Sequence, residues 1–376
     1  MTRVRLLVPD MPDSTAIQPY LRKIDEGRWY TNFGPLSLAF EEKIASLLGI
    51  PADAVCGVAN CTLGLEVALA TMGLPRAARV LVPALTFVAT ATAVVRSGFS
   101  LALADVDDKS WILTPEIARA VLTKSMVDCV VPVASFGCPV DISEWDQFER
   151  DTGIPVLVDA AGAFGNQAVG RICKVAYSFH ATKTLGMGEG GLVACADRAW
   201  IEIFRQFTNF GIEPQTGLSL QAGSNAKLSE YHAAVGLASV ESWGEKVERR
   251  KALFRNYRLE LASRCPQVRL QERPDEGVYS IMQVRLPDGV SAAAVAAALL
   301  DADIETRRWY LPLLESHPAF SQDLIRADLP VARSLAKSLL GLPFHLAMDG
   351  DTVERVCAQL ALVLDGNLAG VAGASG

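Results

Sequence analysis

From residue 55 to residue 196 the chain alternates short, unbroken apolar runs with stretches of helical period. The runs "CGVA" (56–59), "RVLVP" (79–83), "SLALADV" (100–106), "DCVVPVASFG" (128–137), "IPVLVDAAG" (154–162), "VAY" (175–177) and "GGLVACA" (190–196) have strand length and strand composition. Between them fall "TLGLEVALATMG", "FVATATAVVRSG", "TPEIARAVL" and "DISEWDQFERDTG". In the first of these, Leu65, Ala68, Leu69 and Met72 stand at i, i+3, i+4 and i+7, one face of a helix. A strand that is apolar on both faces has to be covered on both, and intervening helices provide the cover. The pattern predicts a doubly wound α/β domain around a mostly parallel sheet. Beyond about residue 197 the alternation loosens. A long charged helix over "ERRKALFRNYRLELASR", then a strand in "VYSIMQVRLP" and a helix in "SAAAVAAALLDADI", suggest a second unit. The expected division is a large domain over 1–243 and a smaller C-terminal α/β domain over 244–376. The tail "GNLAGVAGASG" lacks core-forming bulk and is expected to fray.

In an open α/β sheet, ligands sit beyond the carboxyl ends of the strands. Here those ends are followed by Asn60, Cys61 and Thr62, by Thr86 and Phe87, by Asp159, and by Ser178 to Lys183. Each has an ordinary structural reading by itself. A lysine is commonly a solvated surface charge, an aspartate or threonine after a strand is commonly a helix cap, and Phe87 could be core. Cys61, at a helix start, has no suitably placed base to make it a nucleophile. Taken together, an amine, a carboxylate, hydroxyls, a helix N-terminus and an aromatic ring converge on one crevice. That set fits pyridoxal 5'-phosphate: Lys183 to engage the aldehyde, Asp159 to keep the ring nitrogen protonated, and hydroxyls with helix N–H groups to hold the phosphate.

Gly186, Gly188 and Gly191 come after Lys183 in the spacing of a dinucleotide-binding loop. That motif works only where a strand enters it and a helix leaves it. Here the loop leads into the strand-like "GGLVACA", so the glycines read as a sharp connection between two strands. Composition closes off other classes. A net charge of -7 with no basic run argues against nucleic acid. "MTRVRLLVPDMPDS" carries no secretory core and no apolar stretch reaches membrane-spanning length. The eight cysteines lack metal-ligand spacing and the four histidines are dispersed, so reduced thiols in a cytoplasmic enzyme without a metal are expected.

The chain resembles the DegT family of nucleotide-sugar aminotransferases, enzymes of the pyridoxal-phosphate fold type I. The likeness is carried by "GRWYTNFGPLSLAFEEKIASLLGI", "VANCTLGLEVALA", "VLVPALTFVATATAVVRSG", "PVLVDAAGAFG", "SFHATKTLGMGEGG", "GSNAKLSEYHAAVGLASVE" and "IETRRWYLPLLESHPAF". It implies that Lys183 carries the cofactor, Asp159 partners its ring nitrogen, Cys61 and Thr62 form the phosphate turn, Ser178 adds a phosphate contact and Phe87 stacks on the ring. It also implies a homodimer with shared active sites, in which Asn225 completes the neighbouring subunit's phosphate site. Tyr231, Ala234, Val235 and Ala238 on the following helix are candidates for the subunit boundary. The implied reaction moves an amino group from L-glutamate to a nucleotide-linked keto-6-deoxy sugar, at C4 in preference to C3, for surface polysaccharide or natural-product synthesis. Arg307, Arg308 and Tyr310 are candidates for the sugar-nucleotide pocket, since a planar guanidinium suits a diphosphate. Trp29, Tyr30 and Asn32 are further candidates. Three positions depart from the family pattern: Gly162 where many members have Gln or His, Cys61 for a Gly, and Phe164 for a frequent His. Two other readings are a pyridoxamine-dependent sugar dehydratase, which resembles this chain but characteristically has His in place of Lys183, and a non-catalytic regulatory homologue, which would normally lose Lys183 or Asp159, both present here.

Overall fold

The computed structural model describes residues 3–321, 325–326 and 328–373. Its strands are β1 (Val55–Val58), β2 (Arg79–Pro83), β3 (Ser100–Ala104), β4 (Cys129–Val130), β5 (Leu157–Asp159), β6 (Lys174–Ser178), β7 (Gly191–Ala194), β8 (Arg269–Leu270), β9 (Met282–Arg285), β10 (Ile325–Arg326) and β11 (Leu339–Leu342). Its helices are α1 (Ser14–Gly27), α2 (Pro35–Leu48), α3 (Cys61–Thr71), α4 (Val88–Arg96), α5 (Pro115–Leu122), α6 (Ile142–Thr152), α7 (Arg198–Thr208), α8 (Glu230–Glu241), α9 (Trp243–Arg264), α10 (Ala292–Asp301), α11 (Pro330–Ser338) and α12 (Gly350–Gly373).

Two four-stranded sheets, β1-β7-β6-β5 and β4-β2-β3-β10, are joined by parallel bridges Val130–Val156 and Val133–Asp159. All pairs in this combined sheet are parallel except those of β7, which runs antiparallel to both β1 and β6. Strand alternation sorts neighbouring side chains into two cores. Leu81, Val158, Val175 and Leu192 enter one, while Val80, Val82, Leu157, Ala176 and Val193 enter the other. That is the doubly wound architecture expected from the apolar runs. The run over 128–137 is shorter as a strand than its composition suggests. Pro132 has no N–H to continue a ladder, and the chain turns at Ser135–Gly137 with Phe136 at φ 60°.

A third core joins the antiparallel sheet β11-β9-β8 to α9, α10 and α12 through Tyr257, Val284, Leu299, Leu340 and Val356. Val4 also belongs to it, whereas Leu313, Leu314, Leu329 and Leu335 pack into the second core. The tail expected to fray is helical as far as Gly373, because α12 is nucleated by buried Val353, Val356, Leu360 and Leu364 and extends from there at little cost; residues 374–376 lie outside those described.

Glu230, at the start of α8, accepts hydrogen bonds of 2.8 Å from the backbone N–H groups of both Leu36 and Ser37. It thereby caps α2 from far along the chain and fixes the loop before it. Ala234 and Ala238 are buried within the chain, where α8 packs against α1 and α2, so they cannot form a subunit boundary. Tyr231 alone of the four candidates is exposed, and it stacks with Tyr30 at 6.2 Å.

Candidate active site

The end of β1 passes directly into α3, whose first N–H groups are free to bind an anion except where Asn60 caps Leu63 at 2.9 Å. Gly191 makes this approach possible. A Cβ there would lie 2.7 Å from the backbone nitrogen of Cys61, and Gly191 pairs with Val58 on one side and Ser178 on the other. The remaining glycines after Lys183 serve the turn: Gly188 has φ +89°, and a Cβ on Gly186 would sit 2.7 Å from the Ala181 carbonyl. The connection is a reversal between β6 and β7, as its context suggests, and no helix leaves it to hold a dinucleotide.

Asp159 ends β5 and is buried. Its Oδ1 accepts from the Ala161 N–H at 3.0 Å and its Oδ2 from the Thr90 hydroxyl at 2.8 Å, with Thr86 a further 3.2 Å from Thr90. Burial raises its pKa above the usual carboxylate range, against the opposing pull of Thr90, the Ala161 N–H and Lys183. Lys183 lies in a turn closed by its own N–H to the His180 carbonyl at 2.9 Å. Burial holds its ammonium below the ordinary lysine range, while Asp159 and Cys61 pull the other way. Burial holds the Cys61 thiol well above its usual pKa, so it stays protonated and is no nucleophile.

These groups line one cavity of 570 Å³ together with Thr62, Phe87, Ser178, Arg307 and Tyr310. Phe87 is 58% exposed, which excludes a core role and leaves its ring available for stacking. The donor set has an amine for an aldehyde, a buried carboxylate for a ring nitrogen, and a helix N-terminus beside a serine for a phosphate. Pyridoxal 5'-phosphate carries all three groups, and the residues present fit it. Among the described residues no cluster of His, Cys, Asp or Glu could hold a metal ion, and no helix is long and apolar enough to cross a membrane.

Some sequence candidates fall elsewhere. Arg308 points away from the cavity and donates to the Ala336 carbonyl at 2.7 Å, in the last turn of α11. Arg307 and Arg308 are neighbours on an extended segment bridged to Gly341, so they face opposite sides. Trp29, Tyr30 and Asn32 are exposed on the loop between α1 and α2 and do not line their own chain's cavity. Asn225 does not line it either. It is exposed and accepts from Lys227 Nζ at 2.8 Å. The cavity also includes His180, from the segment that follows β6, and residues that the sequence did not single out: Trp309, Glu189, Ser280 and Ile281. Thr90 had a findable signal, one helical turn beyond Thr86. Ser280 and Ile281 had none, because only the tertiary fold brings them to the strand ends.

Comparison with known proteins identifies the family. The chain is 27% identical to dTDP-4-amino-4,6-dideoxy-D-glucose transaminase of Escherichia coli, over 94% of this chain and 96% of that one. It is 28% identical to UDP-2-acetamido-2-deoxy-3-oxo-D-glucuronate aminotransferase of Pseudomonas aeruginosa, over 87% and 90% of the two chains. The crystal structure of DesI with its TDP-sugar product superposes with a TM-score of 0.88 at 28% identity, covering 99% of this chain and 96% of DesI. With a match to the DegT/DnrJ/EryC1/StrS aminotransferase family that runs over residues 13–361, the chain belongs to that family.

Proposed function

We propose that this aminotransferase, dependent on pyridoxal 5'-phosphate, moves an amino group from L-glutamate to C4 of a nucleotide-linked 4-keto-6-deoxy sugar. When bound, the cofactor supplies an electron-accepting ring through which an amino group leaves one carbon and joins another. Lys183 holds it through Nζ and, once released, serves as the base that carries a proton to and from the reacting carbon. Burial favours the neutral amine that this role needs. Asp159 accepts a hydrogen bond from the ring nitrogen and keeps it protonated, aimed by Thr90 and the Ala161 N–H. The N–H groups at Cys61 and Thr62, with the Ser178 hydroxyl, hold the phosphate, and Phe87 covers one ring face. Arg307, exposed at the cavity's edge, takes the diphosphate of the sugar nucleotide.

The observation that carries this reading is the convergence of Lys183 and Asp159 on one cavity beside the start of α3, in a chain of this family. The E. coli relative's name supports C4, and the P. aeruginosa relative's name marks transfer at C3 as the competitor. We further place the enzyme in the cytoplasm as a homodimer with shared sites, serving surface polysaccharide or natural-product synthesis. A division into domains near residue 243 is supported by the third core, whose members other than Val4 lie beyond that residue, although Leu313, Leu314, Leu329 and Leu335 pack with the large domain's second core. The test is a screen of purified enzyme with glutamate against thymidine-, uridine- and guanosine-linked 3-keto and 4-keto sugars, read by mass spectrometry. Amination of 3-keto substrates alone overturns the C4 assignment. A Lys183→Ala variant should bind cofactor without a covalent bond and lose turnover; near-parental turnover overturns the lysine's role.

A further inference from the structure

Tyr310 is held in the cavity by aromatic contacts on two sides. Its ring lies flat on Phe136, with centroids 5.0 Å apart and planes at 11°, and meets Phe87 at 6.1 Å. Phe136 is itself fixed. It is 2% exposed, stands edge-on to Trp111 at 6.2 Å, and occupies the turn Ser135–Gly137. Gly162, after Asp159, faces the same turn: a Cβ there would lie 3.4 Å from the Gly137 nitrogen, and the position has no polar side chain to offer this wall. The Tyr310 hydroxyl is thus the polar group on a rigid platform beside Phe87 and Asp159. Burial and then the Asp159 charge keep it protonated, with the Phe136 backbone pulling the other way. Among the described residues no hydrogen bond from it to a protein acceptor is formed, which leaves its proton available to whatever occupies the cavity it lines.

We propose that Tyr310 is a further catalytic residue, whose hydroxyl donates a hydrogen bond to the ring oxygen of the bound cofactor, next to the carbon that Lys183 engages. This rests on the reading of Lys183 as the cofactor-bearing lysine. The site of donation is the cofactor and not the sugar, because Tyr310 is anchored against Phe136 and near Asp159, whereas Arg307 marks the open edge. A neutral donor withdraws charge from that oxygen. The nitrogen that Lys183 contributes then loses its proton at a lower pH than it would without the donor.

The test uses purified holoenzyme without amino donor, its visible absorbance titrated against pH. Tyr310→Phe keeps the ring and its stack on Phe136, and the midpoint should rise by about one pH unit, the size of one hydrogen bond to a charged acceptor. Phe136→Leu, which loosens the platform and keeps the hydroxyl, should move it in the same direction by less. Should Tyr310→Phe load poorly, affinity for pyridoxal 5'-phosphate read by fluorescence quenching on cofactor-free protein should fall about tenfold. An unmoved midpoint with undiminished affinity overturns the proposal, including the case where turnover alone falls and the hydroxyl meets the sugar. If the wild-type band survives in Lys183→Ala, the underlying reading of Lys183 fails instead.

Discussion

Thr90 Oγ1 donates a hydrogen bond of 2.8 Å to Oδ2 of Asp159, so the first turn of α4 aims the carboxylate at the end of β5. That bond lowers the Asp159 pKa while burial raises it. Removing it in Thr90→Val should raise the pKa further, so that the carboxylate protonates at a higher pH. The acid limb of kcat/KM should then move upward by about one unit, with a smaller loss at the optimum. Asp159→Ala, which leaves the ring nitrogen without a partner, should cost several orders of magnitude in rate, whereas loss of a mere helix cap costs about 1 kcal/mol of stability with activity intact. The check is a pH–rate profile for both variants; an acid limb that stays in place for Thr90→Val rejects the coupling.

Gly191→Ala should damage both stability and cofactor binding. The added Cβ would meet the Cys61 nitrogen at 2.7 Å and the Asn60 carbonyl carbon at 2.9 Å, which are backbone atoms that cannot rotate away. Overpacking of this kind costs about 1–3 kcal/mol, and the shift falls on the N–H groups proposed to hold the phosphate. Thermal unfolding and the affinity of cofactor-free protein for pyridoxal 5'-phosphate should change together. Loss of stability with unaltered affinity separates α3 from the phosphate.

What the sequence disclosed and what it hid obey one physical rule. Strands apolar on both faces mark themselves, and so do the residues directly after them, which is why Lys183, Asp159, Thr62 and Phe87 were accessible from pattern alone. The reversal of β7 was legible too, since the segment between Ser178 and Gly191 is glycine-rich and holds no crossover helix. Direction across a short extended segment was not. Arg307 and Arg308 are adjacent and identical, and only the pairing with Gly341 decides that one meets the cavity and the other α11. Contacts made at long range, such as Glu230 on the first turn of α2, leave no local trace at all.

The two arginines should therefore separate cleanly. Arg307→Met should raise KM for the nucleotide sugar about tenfold to a hundredfold with little change in kcat, the loss expected of a charged hydrogen bond. Arg308→Met removes a donor to the Ala336 carbonyl and should lower stability by about 1 kcal/mol, leaving KM as it was. Steady-state kinetics with varied sugar nucleotide, alongside denaturant unfolding, reads both. Equal KM effects would place both side chains at the substrate.

Asn225 should act in the partner's site. In its own chain it lies outside the cavity, on an exposed segment where Lys227 donates to it at 2.8 Å and where the bridge to Asn209 brings exposed Phe210 alongside. A two-fold axis would make two equal sites from reciprocal contributions. Lys183→Ala and Asn225→Ala homodimers should each be impaired. Dissociated, mixed in equal amounts and reassociated, half of the dimers are hybrids in which one site has lost both residues and the other has lost neither. The mixture should regain about one quarter of wild-type activity on that two-fold arithmetic. Exchange is verified by native mass spectrometry of tagged subunits. A mixture that remains as inactive as its parents after verified exchange means that Asn225 serves its own chain or no site.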